Sequence, residues 1–312
     1  MEFLGEPPFP FEILSGCGMV LITPMNDSAI SRRSFLPMLG SLAVSVPAMA
    51  AGIASGKAVP VGLQMYSVRD DEKRDLSATL KGLREMGYEC VEFWAPYFGW
   101  TGDRAKEVRK QLDDLGLKCF SVHTDVRNFA PEHLPHVIEL NHALGSRCVI
   151  MAHAGPQADL DGWRRTAEVL ARTADKLKPE RLVCGYHNWD VDFRPVDGVR
   201  PIDLLTGNTP KEVAFELDVA TCLAAGADPL AFIRDNAGRV KAYHLKDWAP
   251  EPDKKYRVLL GEGIGRWKEL VALAESVGGV EHYLIEQEGS RFSQMETARR
   301  CLENYRTIRG GA

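Results

Sequence analysis

Nowhere in this 312-residue chain do two cysteines stand at CxxC spacing, and the seven present follow no metal-binding pattern. That excludes a zinc ribbon, and with 45% hydrophobic residues the chain has core enough to do without a disulfide framework. Cys90, Cys119, Cys148 and Cys184 fall in or beside apolar runs and read as thiols in the core. No run of Lys or Arg forms a stripe, and a net charge of −5 leaves no electrostatic footprint for nucleic acid. No Gly-rich phosphate loop opens the first helix, which weighs against a dinucleotide fold. The length suits one barrel of roughly 250 residues with an N-terminal extension better than two small domains.

A permanent membrane anchor is also missing. The apolar stretch from Leu36 to Val46 is too short, and too rich in Gly, Ser and Ala, to span a bilayer. It follows Ser31-Arg32-Arg33-Ser34-Phe35-Leu36, a twin-arginine export pattern, and precedes Ala48-Met49-Ala50, a small-x-small cleavage site. Residues 1–58 are therefore read as an extension carrying a twin-arginine signal peptide, and 59–312 as the catalytic domain. The mature protein is expected in the periplasm or secreted. About thirty residues precede the Arg pair, which makes Met25 an alternative start.

What is present from residue 60 onward is alternation. Short apolar runs recur at 61–66, 90–93, 118–123, 148–151, 181–186, 213–218, 240–244 and 282–286. Between them lie helical patterns, such as Leu76, Leu80, Leu83 and Met86 at three- and four-residue steps, or Val108, Leu112 and Leu115. Gly87, Gly116, Gly145 and Gly238 follow helical segments, where a left-handed residue closes the helix. Apolar strands separated by helices imply a parallel sheet buried on both faces. Eight such units favour a closed (β/α)8 TIM barrel. Gly261-x-Gly263-x-Gly265 follows no strand directly and reads as a flexible or tight-turning loop over the barrel mouth.

In such a barrel the C-terminal strand ends face the active-site side. Gln64 and Tyr66, Glu92, His123 and His153 stand at the ends of the first four strands. His187 with Asn188, then Asp218, then His244 with Lys246 and Asp247, and lastly Glu286, end the other four. Each has a plainer role open to it: Asp218 could cap the next helix, and His153 could be a hydrogen-bonded rim histidine. His133, His136 and His142 lie on a helical stretch and read as surface or packing residues. Joint placement decides for Asp218, His244 and Glu286. They end consecutive strands about 5 Å apart, so their side chains can converge on one ion. Mixed imidazole and carboxylate ligands suit Mn²⁺, Mg²⁺, Co²⁺ or Zn²⁺.

From about Val59 to its end the chain resembles the xylose-isomerase-like superfamily of sugar isomerases, epimerases and lyases. The resemblance rests on Gly62-Leu63-Gln64-Met65-Tyr66-Ser67-Val68-Arg69, Gly185-Tyr186-His187-Asn188, Glu216-Leu217-Asp218 and Leu284-Ile285-Glu286. Its most specific stretch is Gly238 to Asp247, ending in His244-Leu245-Lys246-Asp247. The resemblance implies one divalent metal with four protein ligands, of which Asp218, His244 and Glu286 are three. The fourth is usually a Glu on the fifth strand; here Cys184-Gly185-Tyr186-His187 makes His187 the first choice and Asp192 the second.

Such a site stabilises an enediolate-like charge on a sugar while a carboxylate moves the proton of the adjacent carbon. Glu286 is the expected base, His123 an acid or base on the opposite wall, and Lys246 a third catalytic candidate. Gln64, Tyr66, Glu92, Asn188 and Arg257 are the expected substrate contacts. The activity expected is isomerisation or epimerisation of a non-phosphorylated sugar. A keto-glycoside lyase and a carbohydrate-binding barrel without activity are the alternatives. Apurinic endonucleases of the same superfamily use more metal ligands and a DNA-binding face, and the negative charge argues against that reading. Barrels of this kind often pair, so a homodimer is a further expectation.

Overall fold

A computed structural model of the chain describes residues 58–310. The export signal and cleavage site read from the sequence lie outside the described residues. Eight parallel strands close into a barrel in sequence order. They are β1 (Val61–Gln64), β2 (Cys90–Phe93), β3 (Lys118–Thr124), β4 (Cys148–Met151), β5 (Val183–His187), β6 (Ala214–Asp218), β7 (Val240–Leu245) and β8 (His282–Ile285). The ring closes where Leu63 of β1 pairs with Ile285 of β8. Among the described residues no helix is long and apolar enough to cross a membrane.

Strand alternation sorts the residues into two environments. Phe215 and Leu217 of β6 belong to the apolar layer between barrel and helices, with Leu80, Leu112, Leu170, Ile233 and Leu302 from the helices. Burying each such side chain contributes roughly 1.5–3 kcal/mol. The alternate positions, Glu216 and Asp218, point into the barrel. Register then sets polar neighbours side by side: Gln64 beside Glu92, His187 beside Glu216, and Asp218 beside His244.

Helix ends follow the expected chemistry. Asp75 and Thr101 cap the helices Leu76–Met86 and Gly102–Leu115 through their side chains. Gly87, Gly116, Gly145 and Gly238 all adopt the left-handed conformation. Two strand limits differ from the sequence reading by two residues, and the rest by one at most. β1 stops at Gln64 because its side-chain oxygen accepts from the Tyr66 amide at 3.0 Å and starts a 3-10 turn. β5 starts at Val183 because Arg181, at φ 59°, still belongs to the preceding turn; the strand therefore runs on to His187.

Asp247 organises the Gly-rich loop after β7. Its carboxylate accepts from the amides of Gly261, Gly263 and Gly265 at 2.9, 3.0 and 3.1 Å, and from Trp267 Nε1 at 2.7 Å. Three amides converging on one carboxylate require close backbone approach, and a Cβ at Gly263 would collide with Asp247 Oδ1 and the Trp248 carbonyl. Gly263→Ala is therefore expected to destabilise the fold by about 1–3 kcal/mol in chemical denaturation. An unchanged midpoint would show that the loop is not held this way.

Candidate functional site

A cavity of about 330 Å³ opens at the C-terminal ends of the strands. Its lining includes Gln64, Tyr66, His123, His187, Asp218, Lys246 and Glu286, all expected from the sequence. It also includes His153, whose Nδ1 accepts from the Gly155 amide at 3.0 Å, the hydrogen-bonded rim role.

Ligating atoms of Asp218, His244 and Glu286 lie within 4.8 Å of one another, as do those of His123, His187, Glu216 and His244. His244 belongs to both groups. Its Nδ1 lies 3.2 Å from Glu286 Oε2, while its Nε2 lies 3.0 Å from Glu92 and 3.2 Å from Glu216. His187 stands between the groups, with Nδ1 3.2 Å from Glu216 and Nε2 4.0 Å from Asp218 Oδ2. Asp218 does cap the next helix, since Oδ1 accepts from the Thr221 amide at 3.0 Å. Its other oxygen faces His187 and Lys246. The capping role and a ligand role thus use different atoms of one carboxylate.

The protonation pattern follows from burial and close charges. Burial alone would raise the Glu286 carboxyl, but Lys246, 3.2 Å away, and His244 hold it well below the usual range, ionised. Lys246 would lose its proton on burial, yet Glu286, Asp218 and Glu288 keep it an ammonium. Burial also opposes a charge on His123, and the carboxylates of Glu92 and Glu216 outweigh it, so its pKa is raised. His187 goes the other way: burial, then the neighbouring His244 and His123, push it well below the ordinary value and leave it neutral. Glu92 is held at about 2 against its burial, by the charge on His123 and the bond to His244. Glu216 is raised by burial and by Glu92. The cavity therefore presents an ionised carboxylate beside an imidazole of raised proton affinity, the pairing that proton transfer needs.

Several of the expected contacts stand away from the cavity lining. Glu92 is fully buried and does not line the cavity; its Oε2 accepts from Gln64 Nε2 at 2.6 Å and meets His244. Asn188 spends its amide on the Asp218 backbone and Thr221 Oγ1, tying the end of β5 to β6. Arg257 is exposed in a separate depression with Glu262 and Arg291, because the apolar run 258–260 turns inward behind it. Asp192, the second choice as fourth ligand, accepts from Tyr186 Oη and the Trp189 amide, both at 2.9 Å, and joins neither group.

Sequence reasoning gave no site role to Glu216, Trp94, Asp125, Trp189, Thr221 or Glu288. Two of these carried a signal. Glu216 and Glu288 stand two residues from Asp218 and Glu286, and the strand period alone puts Glu216 on the face of Asp218.

The sequence profile of the xylose isomerase-like TIM barrel family matches residues 80–306. The chain belongs to that family. A family-wide likeness in structure extends to a sugar phosphate isomerase/epimerase from Parabacteroides distasonis, at 24% identity and TM-score 0.66, over 83% of this chain and 97% of that one. A D-psicose 3-epimerase crystallised with D-fructose matches at 13% identity and TM-score 0.59, over 81% of this chain and 100% of that one. The protein IolI, described with a bound zinc atom, matches at 13% and 0.62, over 80% and 97%. These likenesses show the shared barrel. No curated protein matches the chain.

Asp192 gives this region a pH signature. Burial raises its carboxyl from 3.8 to about 7, only partly offset by the Trp189 amide and the Tyr186 hydroxyl. The folded chain then binds a proton that the unfolded chain releases, so this group's stabilisation is complete below pH 3.8 and declines toward about pH 7. Asp192→Asn removes that slope. Its unfolding free energy relative to the native chain should rise steadily between pH 4 and 7 in denaturation series. A difference independent of pH would contradict the shifted carboxyl.

Proposed function

We propose that this barrel is a divalent-metal-dependent isomerase or epimerase acting on a non-phosphorylated sugar or sugar derivative. The observation that carries the reading is the convergence of Asp218, His244 and Glu286 at one end of the barrel, with His187 beside them. The donor set fits a cation. Four carboxylates, Glu92, Glu216, Asp218 and Glu286, are buried there, and Glu92 Oε1 and Glu216 Oε1 have no hydrogen-bond partner. Neutral His187 with Asp218, His244 and Glu286 would hold the ion, and these ligand types suit Mn²⁺, Mg²⁺, Co²⁺ or Zn²⁺. Glu92 and Glu216 engage His244 Nε2, which leaves Nδ1 for the ion and fixes the ring, as carboxylates behind metal-binding histidines do. When bound, a divalent ion supplies Lewis-acid stabilisation of the negative charge that develops on the sugar oxygens.

The protein's own groups move the proton. Ionised Glu286 takes it from the carbon next to the sugar carbonyl. His123, whose proton affinity is raised between Glu92 and Glu216, supplies a proton from the same cavity. Delivery to the neighbouring carbon gives isomerisation, and delivery to the opposite face of the same carbon gives epimerisation. Among the described residues Lys246 is the single Lys or Arg lining the cavity, and Asp218, Glu286 and Glu288 already neutralise it. No unpaired Lys or Arg among the described residues lines the cavity for a phosphate, which supports an uncharged sugar. The twin-arginine pattern supports the companion proposal of export, since free sugars and glycosides are the substrates met outside the cytoplasm.

Exchange of the sugar's carbon-bound proton in D2O, followed by NMR across a panel of free sugars and keto-glycosides, tests the reading. Full chelation should abolish exchange and added Mn²⁺ should restore it. Glu286→Gln should cut the rate by about 10²–10⁴. Undiminished exchange after complete metal removal would overturn the proposal.

A further inference from the structure

The cavity has a second zone that proton transfer does not use. Its polar floor lies at the strand ends, but its walls carry Tyr66 and Trp94 on one side and Trp189 on another. The two tryptophans follow β2 and β5, three strands apart around the ring. Small residues, Ala95 and Ala152, stand on the wall beside them.

Both indoles are held in place by the protein. Trp94 Nε1 donates to Glu72 Oε2 at 2.8 Å, and Tyr66 packs edge-on against the ring at 4.9 Å. Trp189 Nε1 donates to the Ala152 carbonyl at 2.8 Å, with His153 edge-on at 6.1 Å. With their N–H groups used internally, these rings have only apolar surface to offer. Trp189 nevertheless remains 47% exposed. An indole pinned by a hydrogen bond yet left half in water at a cavity wall is arranged for a ligand, not for the core.

Charge narrows the ligand. Asp125 and Glu288 join the wall, Asp125 paired with Arg127 and Glu288 with Lys246, so an anionic group is disfavoured. We infer that Trp189 and Trp94 form an outer subsite for the neutral, ring-bearing aglycone of a keto-glycoside, whose sugar ring keeps a carbonyl and sits on the polar floor. This rests on the sugar reading of that floor. The aglycone is an aromatic group or a second sugar ring, which share an apolar ring face.

Calorimetry on the full chain with methyl and phenyl β-glycosides of glucose, galactose and xylose, with cellobiose and lactose, and with glucose 6-phosphate tests the subsite. In at least one series the phenyl glycoside or the disaccharide should bind about tenfold tighter than the methyl glycoside, the gain from one added aromatic contact. A phenyl preference identifies an aromatic aglycone, and a disaccharide preference a second sugar. Trp189→Ala should bring that ratio to about one, while Trp189→Phe, which keeps a flat ring, should retain most of it. Equal binding in every series, equal loss for both ligands in Trp189→Ala, or tightest binding of the phosphate ester would overturn the inference. Ring preference without proton exchange would keep the subsite and sink the catalytic reading. Exchange without ring preference would do the reverse.

Discussion

Four carboxylates buried inside one barrel, Glu92, Glu216, Asp218 and Glu286, are the constraint on which the rest of this structure depends. An isolated buried carboxylate costs many kcal/mol, so such groups persist only when paired or when they hold a cation. Here His123, His244 and Lys246 face them from β3, β7 and the residue just past β7. Because polar groups fill this end of the barrel, the apolar core lies mainly between strands and helices. Phe215, Tyr243 and Tyr283 therefore point outward while their strand neighbours point in.

The same pairing decides the chemistry. Identical side-chain types are driven apart by what each one faces. Glu286 beside Lys246 stays ionised, whereas Glu216 beside Glu92 is raised. Of the imidazoles, His123 between two carboxylates has its pKa raised and His187 beside two imidazoles has its pKa lowered. Raised and lowered proton affinities thus arise from two residue types within one cavity, without any unusual side chain.

Much of this was legible in the sequence. Apolar runs and helical periodicity gave the eight units, because a two-sided parallel sheet needs continuously apolar strands and its helices need one apolar stripe. Strand-end residues gave most of the cavity floor. Residues that stand away from the lining do so for local reasons. Arg257 lies in a separate depression, because the apolar run that follows it turns inward. Asn188 sits beside His187 in sequence, yet the strand period sends its amide into the framework. Glu216 lacked a role because its partners, Glu92 and His123, lie far away in the chain and meet it only across the ring.

By itself the sequence determined that this chain forms a (β/α)8 barrel and which strands end in ionisable groups, since both depend on local period and residue type. Tertiary structure alone decided which of those groups meet and which bear a proton. The reason is distance: pKa values and ligand sets depend on neighbours brought together by barrel closure, such as Glu92 and His244, 152 positions apart. The aromatic wall was decided in the same way. Trp94 and Trp189 share a cavity only because β2 and β5 curve around one axis.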